Sequence, residues 1–393
     1  MQKNNTKKNV REHAPEVTTQ KLLALMEAHK KGEPIAARLT IGLDLGDRAS
    51  CWCVLDENGE VIGRGVVSTD RQSMEREFKR FPLSRVALEV GTHSPWVSRT
   101  LKQLGHEVIV ANARRVKLIS ESSRKNDRLD AEFLARLARA DQKLLAPVRH
   151  RSEAAQADLT LVRVRAQLVE LRTQAVNAAR GLVKSFGQRL PKRDAASWKQ
   201  EHAEHLAPEI RPHIESLLRV AETLTGEIES CDEEMKKISR ERYAQETERV
   251  QQVPGVGPVT ALSYVLTLED PHRFKRSRDV GCYLGLRPRS SQSGETNPEM
   301  RISKEGDTYL RKLLVQCAQV ILSPRSPVSD LKIWGARIAA KGKKKAKRRA
   351  VVAVARKLAI LLHRLWVTGE RYYAMRGERP AASHRQLKAI EAS

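Results

Sequence analysis

The segment from Leu39 to Ala111 alternates short apolar runs with helical patterns, and this alternation constrains the fold more than any other feature. Three runs of strand character come first, at residues 39–45, 49–55 and 61–68. The turn Asp56-Glu57-Asn58-Gly59 predicts a tight hairpin between the last two runs, because Asn-Gly supplies the positive φ angles that such a turn needs. The segment therefore opens with three strands in a meander.

Helix and strand patterns alternate after this meander. We predict, in chain order, a helix at 71–81, a strand at 85–90, a helix at 96–104, a strand at 107–111 and a helix at 126–140. This order predicts an α/β sheet with one antiparallel hairpin edge. It is the opening order of the ribonuclease-H-like fold.

The pattern becomes helical beyond Pro147. Two long segments, 150–185 and 212–247, combine apolar residues at helical spacing with many charges. They predict an antiparallel coiled-coil arm, with two helices of an ordinary bundle as the alternative.

These patterns divide the chain into four parts and predict an α/β plus α fold class. We predict a basic flexible extension at 1–38 that contains a short helix at 20–30, and an α/β catalytic domain at 39–148. The helical arm then occupies 149–247, and a mainly helical C-terminal domain occupies 248–393.

The charge balance points to a polyanionic partner. The formal net charge is +25 and the isoelectric point is about 10.1, so nucleic acid is the first candidate and an anionic membrane surface the second. The sequence holds no apolar run long enough for a transmembrane helix and no secretory signal. The five cysteines lack zinc-finger spacing, and we expect buried thiols in a reduced cytoplasm.

Four acidic residues suggest a metal site. Asp44 and Glu89 end two predicted strands, whereas Asp127 and Asp130 are three residues apart on one predicted helix face. Converging carboxylates repel one another unless a hard cation such as Mg²⁺ binds between them, and bound Mg²⁺ supports phosphodiester chemistry. Taken singly, each acid has a structural alternative as a turn residue, a helix cap or an ion-pair partner.

Two C-terminal segments have the composition of phosphate-binding elements. Pro254-Gly255-Val256-Gly257 resembles the turn of a helix-hairpin-helix element, whose glycines let the backbone approach a phosphate. The loop from Gly285 to Gly294 combines arginine, serine and glycine. An ordinary helix connection and a flexible loop are the respective alternatives.

Cationic residues near that loop and in a dense run further on are candidate nucleic-acid contacts. They are Arg289, Arg301, Lys304, Lys343, Lys344, Lys345, Lys347, Arg348 and Arg349.

Jointly, these motifs resemble the DEDD transposases of bacterial insertion sequences, described as bridge-RNA-guided recombinases. The resemblance covers about residues 39–370. It is carried by the motifs I-G-L-D-L-G, A-L-E-V-G-T-H-S-P-W, R-K-N-D-R-L-D-A, V-P-G-V-G-P-V-T-A, G-L-R-P-R-S-S-Q-S-G and R-I-S-K-E-G-D-T-Y-L-R.

The resemblance implies a RuvC-like catalytic domain and a distinct C-terminal transposase domain. It implies that Asp44, Glu89, Asp127 and Asp130 bind Mg²⁺ or Mn²⁺, and that Ser293 is the nucleophile that becomes joined to DNA. It further implies dimers and tetramers formed through the arm. A structured guide RNA would pair with donor and target DNA near the bacterial nucleoid.

Two rival functions use the same residues differently. A structure-selective nuclease of the Holliday-junction type needs the four acids but not Ser293. A non-catalytic nucleic-acid-binding protein needs the cationic residues and tolerates loss of every acid.

Overall fold

The computed structural model describes residues 17–114, 127–289, 300–375 and 377, with the side chains of residues 127 and 128 left undescribed. The chain divides into two compact units, residues 1–151 and residues 152–393.

A six-stranded mixed sheet forms the centre of the first unit, within the residues described. Its strands are β1 (Val17–Thr18), β2 (Thr40–Asp44), β3 (Ala49–Leu55), β4 (Val61–Ser68), β5 (Arg85–Glu89) and β6 (Glu107–Ala111). The strand order is β1-β4-β3-β2-β5-β6. The neighbouring pairs β1–β4, β4–β3 and β3–β2 are antiparallel, whereas β5 is parallel to β2 and β6 is parallel to β5. The predicted meander and the strands that follow it are confirmed.

Helices cover both faces of this sheet. They are α1 (Gln20–Lys31), α2 (Arg71–Phe78), α3 (Ser94–Gln103) and α4 (Asp127–Ala140). The first three share one hydrophobic core with Leu43 and Leu88 from one face of the sheet. Helix α4 packs against the other face, where Leu134 and Ala138 share a hydrophobic core with Ala87. The α/β class predicted for this unit is confirmed.

The prediction of a flexible extension is wrong for residues 17–32. Strand β1 pairs with β4, and α1, which confirms the short helix expected at 20–30, buries Leu22 completely in the core beside Gly63. The sequence pattern of this segment did not predict that it packs on the sheet, because one buried leucine and a two-residue strand give too weak a periodic signal.

The hairpin turn between β3 and β4 forms as predicted. The Asp56 carboxylate accepts hydrogen bonds from the backbone N–H groups of Asn58 and Glu60, at 3.0 and 2.9 Å. Gly59 adopts φ +86°, a conformation that favours glycine.

Two long antiparallel helices begin the second unit: α5 (Glu153–Leu182) and α6 (Arg211–Arg242). Polar contacts show their direction, because Arg165 bonds both carboxylate oxygens of Asp232, whereas Arg172 further along α5 bonds Thr225, earlier on α6. The two helices expected for the arm are therefore present.

Six helices follow in this unit, within the described residues. They are α7 (Ala244–Gln251), α8 (Pro258–Leu268), α9 (Arg278–Tyr283), α10 (Thr308–Ile321), α11 (Asp330–Ala340) and α12 (Lys344–Thr368). Every residue of α8 from Thr260 to Leu268 is buried, and the Tyr264 hydroxyl donates to the Ala359 carbonyl of α12 at 2.6 Å. Helix α8 is thus the centre of the C-terminal core.

Helix α12 begins at Lys344, so most of the basic run forms its first two turns. Ala350 and Val354 are fully buried and anchor those turns to the core. None of the described helices combines the length and apolarity that crossing a membrane requires.

Candidate active site

Two of the predicted metal ligands end neighbouring parallel strands. Asp44 is the last residue of β2 and Glu89 is the last residue of β5. The register pairs Leu43 with Leu88, one residue earlier in each strand. Asp44 and Glu89 therefore occupy adjacent positions at one edge of the sheet, and both residues are half-buried.

Strand alternation places these two acids on the face that α4 covers. Leu43 and Leu88 are fully buried in the core on the opposite face. Gly42, two residues before Asp44, lies against Ala131 of α4. Because successive side chains point to opposite faces, Asp44 and Glu89 share the α4 side.

Helix α4 begins towards the same edge. The Arg85 guanidinium, at the start of β5, donates to the carbonyl of Ala138, near the end of α4, at 3.2 Å. Since Gly42 lies beneath Ala131, the helix runs opposite to β2 and its first turn points towards the strand ends. Asp127 is its first residue, and Asp130 is half-buried one turn later.

The structure thus brings Asp44, Glu89 and Asp130 to one end of the sheet–helix layer. Within the described residues, no group of three or more histidine, cysteine, aspartate or glutamate side chains is arranged to hold a metal ion. The side chain of Asp127 lies outside the described residues. The arrangement of the four acids as a metal-binding set stays a prediction.

The loops that follow Asp44 and Glu89 contact each other. His93 Nε2 lies 3.5 Å from a carboxylate oxygen of Asp47, and the Trp96 indole N–H donates to His93 Nδ1 at 3.2 Å. The indole N–H can only donate, so His93 Nδ1 is the acceptor in this contact and Nε2 is the nitrogen that faces Asp47. Sequence reasoning missed this contact, because only the parallel pairing of β2 with β5 brings the two loops together.

A buried serine holds the second of these loops. The Ser94 hydroxyl donates to the Gly91 carbonyl at 2.8 Å and accepts from the Gly91 N–H at 2.9 Å. His150 Nε2 lies 2.9 Å from the same hydroxyl. Burial lowers the pKa of His150, and the positive charges of Arg99, Lys102 and Arg151 lower it further, which favours a neutral ring that donates to Ser94.

In the second unit, the Ser293 segment is joined to the core by a short antiparallel stem. Pro288 pairs with Ile302, and the Arg289 N–H donates to the Arg301 carbonyl at 3.0 Å. The Ser303 N–H donates to the Arg287 carbonyl at 2.8 Å. Ser293 itself lies outside the described residues.

The predicted cations at this stem are solvent-exposed. Arg289 and Arg301 stand on its two strands, and Lys304 follows with φ +58°, a left-handed conformation that is uncommon for a residue with a side chain. Sequence reasoning named these three residues but missed Arg287, which is also exposed.

The basic run is exposed at the start of α12. The cations at 343, 344, 345, 347, 348 and 349 all face solvent. The helix dipole places partial positive charge at this same end, so the cations are unfavourable there in the free protein and attract an anion.

The glycine turn between α7 and α8 is present at residues 254–257. Gly255 has φ +95° and packs against Val320 and Ile321, whereas a side chain on Gly257 would meet open space. Only Gly257 is therefore placed as expected for close approach to a phosphate.

Comparisons with known proteins match two families along this chain. Residues 41–187 match the DEDD type of IS110 transposase, a family described as "Transposase". Residues 247–332 match the family described as "Transposase IS116/IS110/IS902 family".

Curated relatives resemble most of the chain. The transposase for insertion sequence element IS1111A of Coxiella burnetii is 31% identical, over 84% of this chain and 90% of the relative. The transposase for insertion sequence element IS1328 of Yersinia enterocolitica is also 31% identical, over 72% and 83%. A probable family 20 transposase of Pseudomonas aeruginosa is 29% identical, over 72% and 83%.

Proposed function

Because this chain belongs to the DEDD-type insertion-sequence transposases, we propose that it cleaves and rejoins DNA with a metal site in the first unit and Ser293 in the second. The chain is a DNA-transposing enzyme. We propose in addition that it binds a metal ion, uses a serine nucleophile, is guided by an RNA and assembles into oligomers. Its first unit would be a RuvC-like member of the ribonuclease-H-like fold, which the strand order β4-β3-β2-β5-β6 supports.

The metal proposal depends on Asp44 and Glu89 at adjacent strand ends, beside the start of α4. Their oxygens are the hard ligands that Mg²⁺ and Mn²⁺ prefer, and half-burial leaves room for water or phosphate. Asp127 and Asp130 would complete the set. A bound cation would stabilise charge on a scissile phosphate.

Ser293 would be the nucleophile. Its hydroxyl oxygen would bond to phosphorus and lose its proton, while the bond from phosphorus to a deoxyribose oxygen breaks and that oxygen takes up a proton. Attack by a deoxyribose hydroxyl on the serine–phosphate linkage would then rejoin a strand and restore the serine. Arg289 and Arg301 lie on the stem of the serine segment and Lys304 follows it, where their charge would stabilise the phosphate.

The arm would join copies of the chain into dimers and tetramers. A stripe of apolar residues at alternating spacings of four and three runs along α5; its members are not among the fully buried residues of α5, although Ala175 packs partly against the core that α5 shares with α6. Its members are Val164, Leu168, Leu171, Ala175, Ala178 and Leu182. Val164, Leu171 and Leu182 are between 41% and 54% exposed, and such a seam fits a second helix.

Nucleic-acid partners would be donor DNA, target DNA and a structured guide RNA. The net charge of +25 and the exposed cations of α12 support contact with phosphate backbones. We place this activity at the nucleoid in the bacterial cytoplasm. The arm at 149–247 and the C-terminal domain at 248–393 are proposed as separate functional parts of the chain.

The test is a strand-joining assay on DNA that carries the ends of the element. Asp44→Asn and Ser293→Ala should each abolish joining, and Ser293→Ala should also abolish the covalent protein–DNA adduct seen on a denaturing gel. Ser291→Ala is the matched control and should retain both. Strand joining by Ser293→Ala would contradict the assignment of Ser293 as the nucleophile. Cleavage of four-way DNA junctions that requires Asp44 but not Ser293 would favour a structure-selective nuclease.

A further inference from the structure

The stem below the serine segment places two arginines directly opposite each other. Pairing of Pro288 with Ile302 puts Arg289 across from Arg301. The alternation of a strand puts Arg287 on the same face, two residues before Arg289 and about 7 Å away along the strand. Three arginine residues therefore occupy one face of this short antiparallel stem.

This arginine face points away from the protein core. Leu286, on the opposite face, is 1% exposed, and the half-buried Ile302 packs against the same core. Arg287, Arg289 and Arg301 are exposed. Across the described ranges, their side chains make no hydrogen bond or ion pair.

Like charges directly opposite each other destabilise a strand pair. A framework beneath the stem holds this one together. The buried Arg311 donates to the Leu284 carbonyl at 3.0 Å and to the Glu305 carbonyl at 2.7 Å, which joins the two ends of the stem. A side chain on Gly285 would overlap the backbone of Glu305, so the close approach requires glycine.

We propose that Arg287, Arg289 and Arg301 form a clamp for the phosphodiester backbone of DNA, and that Arg311 is its positioning residue. The clamp rests on the proposed function, because it would bind the strand at the segment that carries Ser293. A phosphate between Arg289 and Arg301 relieves their repulsion, and each guanidinium offers two parallel N–H donors to phosphate oxygens. Arg287 reaches the neighbouring phosphate along the strand.

The experiment measures binding of labelled duplex DNA by the full-length chain at several salt concentrations. Each lost phosphate contact makes the slope of log K against log salt shallower by about 0.9. Arg289→Gln and Arg301→Gln should each show this change. Arg325→Gln, which removes another exposed arginine of the same unit, is the control and should keep the wild-type slope.

Thermal unfolding of the free proteins supplies a second readout. Arg301→Gln should raise the unfolding temperature or leave it unchanged, because it removes the repulsion from Arg289. A merely structural role would lower it. Arg289→Lys should keep the salt slope but bind DNA more weakly, since lysine lacks the paired donors. Arg311→Gln should lose both the salt-dependent contacts and some thermal stability.

Equal slopes for Arg301→Gln and Arg325→Gln would overturn the clamp. If the arginine variants showed a shallower salt slope for a structured RNA but the wild-type slope for DNA, the assignment of the clamp to DNA would be wrong. Failure of the wild-type chain to join element ends would instead contradict the proposed function. The salt slopes of the variants test the clamp separately, so the two failures can be told apart.

Discussion

Gly42 of β2 lies so close beneath Ala131 of α4 that a Cβ atom on Gly42 would overlap the Ala131 carbonyl oxygen. This contact sets how closely α4 packs on the sheet. It therefore also sets how far Asp127 and Asp130, in the first turn of α4, lie from Asp44 at the end of β2. Gly42→Ala should therefore move the helix outwards and lower the free energy of unfolding of the first unit by about 1–3 kcal/mol.

Urea unfolding checks this value. Gly91→Ala is the control, because a Cβ at this exposed position meets nothing within 4 Å. An unchanged stability in Gly42→Ala would show that α4 does not pack at this distance.

Metal binding should stabilise the first unit. If carboxylates converge at the strand ends, Mg²⁺ relieves their repulsion and raises the unfolding temperature, because a ligand that binds only the folded state stabilises it. Glu89→Gln should remove most of the Mg²⁺-dependent increase. Glu60→Gln, at an exposed acid in the turn between β3 and β4, should retain it. Equal responses from both variants would contradict the site.

Acid should destabilise the first unit through His106. Its Nδ1 accepts from the Ser84 N–H at 3.2 Å and its Nε2 faces the Phe78 carbonyl at 3.1 Å, an arrangement that requires a neutral ring. Burial lowers the pKa of His106 below the usual 6.5, and the charge of His29 lowers it further.

The unfolded chain therefore binds this proton first as the pH falls. The stability that neutral His106 contributes is fully present above about pH 6.5 and is lost as the pH falls from there towards the folded-state pKa. The loss is about 1.4 kcal/mol for each unit by which the folded-state pKa lies below the unfolded-state pKa. Unfolding of His106→Gln from pH 8 to pH 5 should show a flatter profile. The exposed His213→Gln should keep the wild-type profile.

The arm should depend on one buried carboxylate. Asp158 is 5% exposed, accepts from the Tyr243 hydroxyl at 2.9 Å and pairs with Arg242 at 2.9 Å. Burial and this hydrogen bond raise the pKa of Tyr243 to about 12. Asp158→Ala leaves the tyrosine hydroxyl unpaired and should lower stability by about 1–3 kcal/mol.

The matched control for Asp158 is Arg163→Ala, which removes a 61% exposed partner of Asp307. It should cost less than about 1 kcal/mol, because Arg163 is solvent-exposed and Asp307 keeps its hydrogen bond from the Leu310 N–H. Equal losses measured by urea unfolding would argue against a special role for Asp158.

Assembly should be sensitive to the α5 seam. Leu171→Glu places a charge in the proposed contact between copies, and sedimentation should detect smaller species without loss of helical content. Val220→Glu on α6 introduces the same charge at a comparably exposed position, 51% against 41%, and should assemble as the wild type does. An unchanged distribution for Leu171→Glu would exclude this seam.

Local pattern alone was sufficient to predict strands β2 to β6, most helices and the Asn58-Gly59 turn, because each depends on residues close in sequence. It also singled out Asp44 and Glu89 as acids at strand ends. It missed the packing of α1, since the burial of Leu22 depends on a β4 strand far along the chain.

Only the tertiary structure decided which of these residues meet. The parallel register of β2 with β5 made Asp44 and Glu89 neighbours. The pairing of Pro288 with Ile302 in the stem placed Arg289 opposite Arg301. Such long-range pairings arise from the packing of whole elements, in which one residue of slip turns every side chain to the other face. The composition of the sequence contains the charges, but the register of the strands determines where they act.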